Sequence, residues 1–232
     1  MSVDSTQARE LISGLKWYFQ AKNLALKNAL SIRTPLSVDQ QNDIRTYYSL
    51  YLANLLSATE MLLEKEYPFS QEFKQEIEDA LSFPEYSDGE NNYSYLRELR
   101  NAVIHRGFDI SSSAHTIDDV PLMIAPQTIA NRSGKKSYSA FGFYLLEMIS
   151  KCESVIGHLI EQHLQSKGLL KPLSTHEQMV VEAKVHLASA VGVPEWVKNM
   201  ASSHLENIDH EKIQMEQIKS FLAVLHENAL GS

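Results

Sequence analysis

The 232-residue chain contains a single cysteine, Cys152, which excludes an intramolecular disulfide framework and any cysteine-rich zinc site. A reducing compartment, the cytoplasm, is the expected location. No run of eighteen apolar residues occurs, so no membrane-spanning helix is expected. The first thirty residues carry Asp4 and Glu10 in place of a basic start and an unbroken apolar stretch, and no secretory leader is expected either. Internal repeats, low-complexity tracts and extended heptad runs are also missing.

Positive charge is in short supply. Lys and Arg number 21 against 29 Asp and Glu, a formal net charge of −8, which argues against broad nucleic-acid binding driven by counterion release from many phosphates. Every arginine lies at or before Arg132, and from Ser174 onward the strong bases are Lys184, Lys198, Lys212 and Lys219. A phosphate-handling surface therefore belongs to the first three-quarters of the chain. The remaining composition, 44% hydrophobic and 22% charged, is that of a globular protein able to bury roughly 70% of its unfolded surface.

Apolar residues recur at helical spacing over residues 5–31, through Leu11, Ile12, Leu15, Phe19 and Leu26, and Pro35 ends the pattern. Ser37 and Gln40 form a capping box for a second helix, which the pattern carries through Tyr67. A short helix is predicted over residues 70–81. A turn-rich connection follows over 83–92, then a helix over 93–106 that Gly107 stops. Residues 108–137 show no helical period; residues 120–125 read as a strand with a partner near 128–130. A long helix is predicted from Tyr138 to Ser166, and three smaller ones over 175–191, 194–205 and 209–229. Ser174 with Glu177 and Pro194 are the start signals of the first two. The expected fold is all-α: an antiparallel four- to five-helix bundle over residues 1–172 with a long non-helical insertion, then a small helical accessory segment over 173–232.

The helix over 93–106 carries the sharpest chemistry. Leu96, Leu99, Ala102 and Val103 cluster on one side, while Glu98, Asn101 and His105 form a polar row opposite, flanked by Arg97 and Arg100. Arg100 and His105 lie about 140° apart around the axis. Both reach one small target only from a groove wrapping the helix, or across two copies related by a two-fold axis. A histidine can take a proton from a ribose 2′-hydroxyl or give one to a leaving 5′-oxygen, and an arginine can hold the phosphate between them. This chemistry requires no metal.

Arg100-Asn101-Ala102-Val103-Ile104-His105, arginine, a polar residue and histidine after three more positions, resembles the signature of the HEPN superfamily. The resemblance covers about residues 5–166 and implies a four- or five-helix bundle that dimerises and acts as a metal-independent endoribonuclease. It further implies that Arg100 binds the scissile phosphate, His105 transfers the proton and Asn101 orients the site. Some of its members are toxins restrained by modification of a tyrosine two residues after the histidine; Gly107 stands there in this chain. Arg97, Arg106, Arg132, Lys135 and Lys136 are the candidate RNA contacts.

Other signals are weaker. Arg132-Ser133-Gly134-Lys135-Lys136 lacks the glycine spacing of a phosphate loop. Tyr47, Tyr48 and Tyr51 read as packing residues rather than base-stacking platforms, and Cys152 reads as a buried small hydrophobe. Glu60, in an otherwise apolar helix, reads as the partner of a basic residue. The histidines are scattered, with no metal or cofactor site expected. The alternative function is a noncatalytic interaction or regulatory module, defence or stress related, that holds a protein partner through the arginine-free segment after residue 172.

Overall fold

A computed structural model describes residues 3–227 and 230. The first helix, α1 (Ser5–Ser31), starts where the Asp4 carboxylate accepts the Thr6 N–H at 3.0 Å, filling one of the bonds a helix start leaves open. A short connection leads to α2 (Val38–Met61), opened by the expected Ser37–Gln40 capping box. This helix ends six residues earlier than its apolar pattern predicts. The chain turns after Met61 so that both Leu62 and Tyr67 reach the core, the Tyr67 hydroxyl meeting Nε2 of the buried His163 at 2.8 Å.

The third helix, α3 (Ser70–Ala80), matches its prediction, with Phe73 and Ile77 buried. The fourth, α4 (Gly89–Arg106), begins four residues before its predicted start, because Asp88 accepts the Asn91 N–H at 2.8 Å and caps it there. Buried Asn92 then donates to the carbonyls of Leu81 and Tyr86. Gly107 ends α4 in the left-handed conformation, φ 68°, which side chains with a Cβ resist. The helix runs antiparallel to α2: the hydroxyls of Thr59 and Tyr93 are 2.9 Å apart at one end, and Arg45 Nη2 donates to the Gly107 carbonyl at 3.4 Å at the other.

The insertion folds as two antiparallel hairpins, β1 (Ala114–Ile117) with β2 (Val120–Met123), and β3 (Thr128–Ala130) with β4 (Ser137–Ser139). The predicted strand near residue 120 exists, but its partner is β1 and not residues 128–130. Asp118 and Asp119 both adopt positive φ, the geometry of a two-residue hairpin turn, so β2 folds back on the segment just before it. Residues 138 and 139 belong to β4, and the helix predicted from Tyr138 begins only as α5 (Leu145–Ser166). Its start is set by Glu147, whose Oε2 accepts the N–H groups of Phe143 and Tyr144.

Among the described residues three further helices follow: α6 (His176–Ser189), α7 (Glu195–Leu205) and α8 (His210–Leu225). The cap of α6 is Thr175 with Gln178, one residue beyond the predicted pair; Ser174 is buried, and its carbonyl accepts from Gln214 of α8. Pro194 occupies the cap of α7 rather than its first turn. The predicted end of the last helix at Ala229 lies outside the described residues. The fold is thus predominantly helical, with a β-hairpin insertion and further C-terminal helices.

One apolar core joins α1 through α5, and α8 packs on α1 and α5, contributing Ile218, Phe221 and Leu225. A polar group is sealed within it. Lys22 Nζ lies 2.8 Å from both oxygens of Glu153, and the Tyr51 hydroxyl donates to the same carboxylate at 2.7 Å. Burial holds the Lys22 ammonium below the usual lysine value despite the pull of Glu153. Cys152 is fully buried beside this group, and burial pushes its thiol well up.

Candidate functional site

Side chains on a helix lean toward its N-terminus, and Arg100 follows that rule. Its guanidinium reaches back from α4 to α2, where Nη2 meets Glu60 Oε1 at 2.6 Å. Arg97, one turn earlier on the same flank, brings Nε within 3.6 Å of the same oxygen. The carboxylate of Glu60 is therefore shared between two guanidinium groups, and the cluster keeps one unit of positive charge. The Arg100 side chain is only 16% exposed, and its Nε is shut off from solvent with no hydrogen-bond partner among the described residues. Arg97 is half exposed and lies over the Tyr93 ring, whose phenol burial pushes up to about 12.

His105 occupies the last turn of α4, about 7.5 Å further along the axis than Arg100. Its side chain is exposed and makes no hydrogen bond or ion pair among the described residues. Asn101 lies between them and donates to Glu98 Oε1 at 3.4 Å. Arg106 is committed on the far side of the helix end: it donates to the Ala130 carbonyl of β3 at 2.8 Å and to the carbonyl of Glu98 at 2.9 Å, and pairs with the Glu98 carboxylate at 3.3 Å. That strap has a consequence. Ala130 opens the turn between β3 and β4, so Arg132, Lys135 and Lys136, all exposed, are carried toward the end of α4 that bears His105. Histidine and arginine in the last turn also suit the negative end of the helix dipole.

Arg45 is the residue that the sequence does not disclose. From α2 it reaches the Gly107 carbonyl, and its Nε is 3.9 Å from Asp109. Arg45, Asp109, Ser111 and Ser112 line a cavity of about 330 Å³ just beyond the end of α4. Nothing in the spacing around Arg45 signals this, since it depends on how α2 and α4 pack. A second cavity, about 770 Å³, lies between α1, α6 and α8 and takes no lining residue from α2 or α4. Among the described residues, the side chains grouped closely enough to hold a metal ion, His158, Glu161 and His226, lie on α5 and at the end of α8.

The site so assembled has two parts: a partly buried cationic cluster, Arg97–Arg100–Glu60, and an exposed imidazole beyond it, flanked by the basic β3–β4 turn and by Arg45. The first part can hold an anion, and the second can exchange a proton with solvent or substrate. The Arg100 and His105 side chains are not in contact within one chain. No family model, curated protein or solved structure matches the sequence or fold.

Proposed function

We propose that the chain is a metal-independent endoribonuclease of the HEPN type, acting as a homodimer. The observation that carries this reading is the pairing, on one helix, of a guanidinium cluster with charge to spare and a histidine left free at the surface. In the proposed reaction the ribose 2′-oxygen attacks the adjacent phosphorus and the 5′-oxygen leaves. A 2′,3′-cyclic phosphate and a free 5′-hydroxyl result, with no water consumed. His105 handles the proton passing from the 2′-hydroxyl to the 5′-oxygen. Arg100 holds the phosphate oxygens as negative charge grows on them, and Glu60 fixes the guanidinium as a positioning residue. Asn101 orients the row between them. Arg97, Arg132, Lys135 and Lys136 guide the RNA backbone past the helix end, with Arg106 holding the basic turn in place through Ala130, which confines contact to a local cationic patch on a chain that is acidic overall.

The dimer follows from the separation of the two side chains along and around α4: a second copy supplies the partner residue. Exposed aliphatic side chains on α2 and α4, Leu50 at 46% and Ile104 at 48%, provide apolar surface for such an association. The test is cleavage of mixed-sequence RNA in the presence of a chelator. Arg100→Ala and His105→Ala should each lower the rate by about 10²- to 10⁴-fold without loss of dimer. Unchanged cleavage in both variants would refute the assignment.

A second reading, a noncatalytic module that binds a protein, draws on α6 and α7. Val185 of α6, Trp196 and Met200 of α7 and Val191 in the connection between them are exposed, and α7 buries no residue of its own. RNA left intact by the wild-type chain, together with partner binding lost in Trp196→Ala, favours that reading over the first.

A further inference from the structure

The end of α8 rests on α5 at Gly157. A Cβ built there would lie 2.7 Å from the Leu225 carbonyl oxygen, closer than packed atoms tolerate, so only glycine lets the two backbones meet. The next residue on each element is a histidine. The contact therefore brings the rings of His158 and His226 face to face, centroids 4.6 Å apart and planes 38° from parallel. Glu161, three residues beyond His158 on the same helix face, places Oε2 2.7 Å from His226 Nε2. One donor atom from each of the three lies within 4.8 Å of the other two.

We infer that His158, Glu161 and His226 form a binding site for a divalent transition metal, zinc by preference, that fastens α8 to α5. Two imidazole nitrogens and one carboxylate oxygen are a recurring three-ligand set for zinc, with the fourth position left to water. Imidazole donors also select such ions over magnesium and calcium. In a tetrahedral site donor atoms stand about 3.3 Å apart, given metal–ligand distances of about 2.0–2.2 Å. Rotation of the side chains closes the remaining gap, and the metal takes the place of the hydrogen bond between Glu161 and His226. Leu225 before His226 is buried, and Glu227 after it is tied to Lys27 and Asn23 of α1, so the ligand furthest along the chain is already held.

The sequence hides this site because only two of its ligands share an element and one of those two is a carboxylate. It is independent of the nuclease reading, which uses α4. The test is titration of the full chain with Co²⁺, followed by its visible d–d absorption and by displacement with Zn²⁺. One ion per chain with a four-coordinate spectrum is expected, and Zn²⁺ should raise the melting temperature relative to chelator. His158→Gln and His226→Gln change exposed side chains and should weaken binding at least about tenfold, since even residues supporting a ligand are worth that much. His115→Gln should change nothing. Gly157→Ala should weaken binding without touching a ligand. Equal Co²⁺ affinity in the His158→Gln/His226→Gln double variant, or no binding at millimolar Co²⁺, would overturn the proposal.

Discussion

Glu153 shows how one carboxylate can organise three helices. It accepts both bonds from Lys22 of α1 and one from Tyr51 of α2 while itself standing on α5, and the lysine and glutamate side chains are 3% and 10% exposed. Removing one member of such a pair strands a charge in the interior. Lys22→Met should therefore cost about 3–5 kcal/mol, measured by urea unfolding. The double variant Lys22→Met/Glu153→Gln should lose much less than the two single losses added together, because no charge is left behind. Strict additivity would mean that the pair is not coupled. Sequence alone does not point to this group: Lys22 and Glu153 are 131 positions apart, and each reads as an ordinary surface residue. The Arg100–His105 relation is legible because both fall within two turns of one helix, where angle and rise follow from counting. That Arg100 would reach Glu60 is half legible, since an acid in an apolar helix asks for a base; which base depends on packing. Arg45 gives no sign at all.

At the scale of the element, α4 depends on where it stops. Gly107 at φ 68° lets the chain leave at once, and its N–H returns to the Ala102 carbonyl. With a Cβ that conformation costs about 1–2 kcal/mol. Gly107→Ala should lose about that much stability in denaturant titration, and Gly107→Asn clearly less, because asparagine tolerates the left-handed region. A Cβ there meets nothing within 4 Å, so equal losses would count against the left-handed backbone as the cause. Starts and stops marked by local chemistry are readable: Ser37 with Gln40, and Gly107. Those set by tertiary demand are not. Met61 ends α2 because Leu62 and Tyr67 must turn into the core, and Glu147 delays α5 by capping backbone groups of Phe143 and Tyr144. The hairpins are harder still to foresee, since three- and four-residue strands carry too little alternation to fix a partner, and only the Asp118-Asp119 turn decides it.

For the whole molecule, the proposed active site makes a prediction about mixing. In a dimer whose sites each draw Arg100 from one chain and His105 from the other, co-expressing Arg100→Ala with His105→Ala chains restores one intact site in every mixed dimer. Random assembly then recovers about a quarter of the wild-type rate. No recovery would mean that both residues act from the same chain. The all-helical architecture is legible from the periodicity of its long segments, but the seat of α8 is not: an apolar stripe says that a helix packs, and is silent about what it packs on.

That seat bears on how the chain is made. Ile218, Phe221 and Leu225 fill the space against α1 and α5, yet they are translated long after both of those helices. On the ribosome the nascent protein carries an open greasy slot until α8 emerges, and a product truncated before Ile218 keeps it permanently. Such a fragment is a client for chaperones and proteases rather than a smaller working protein.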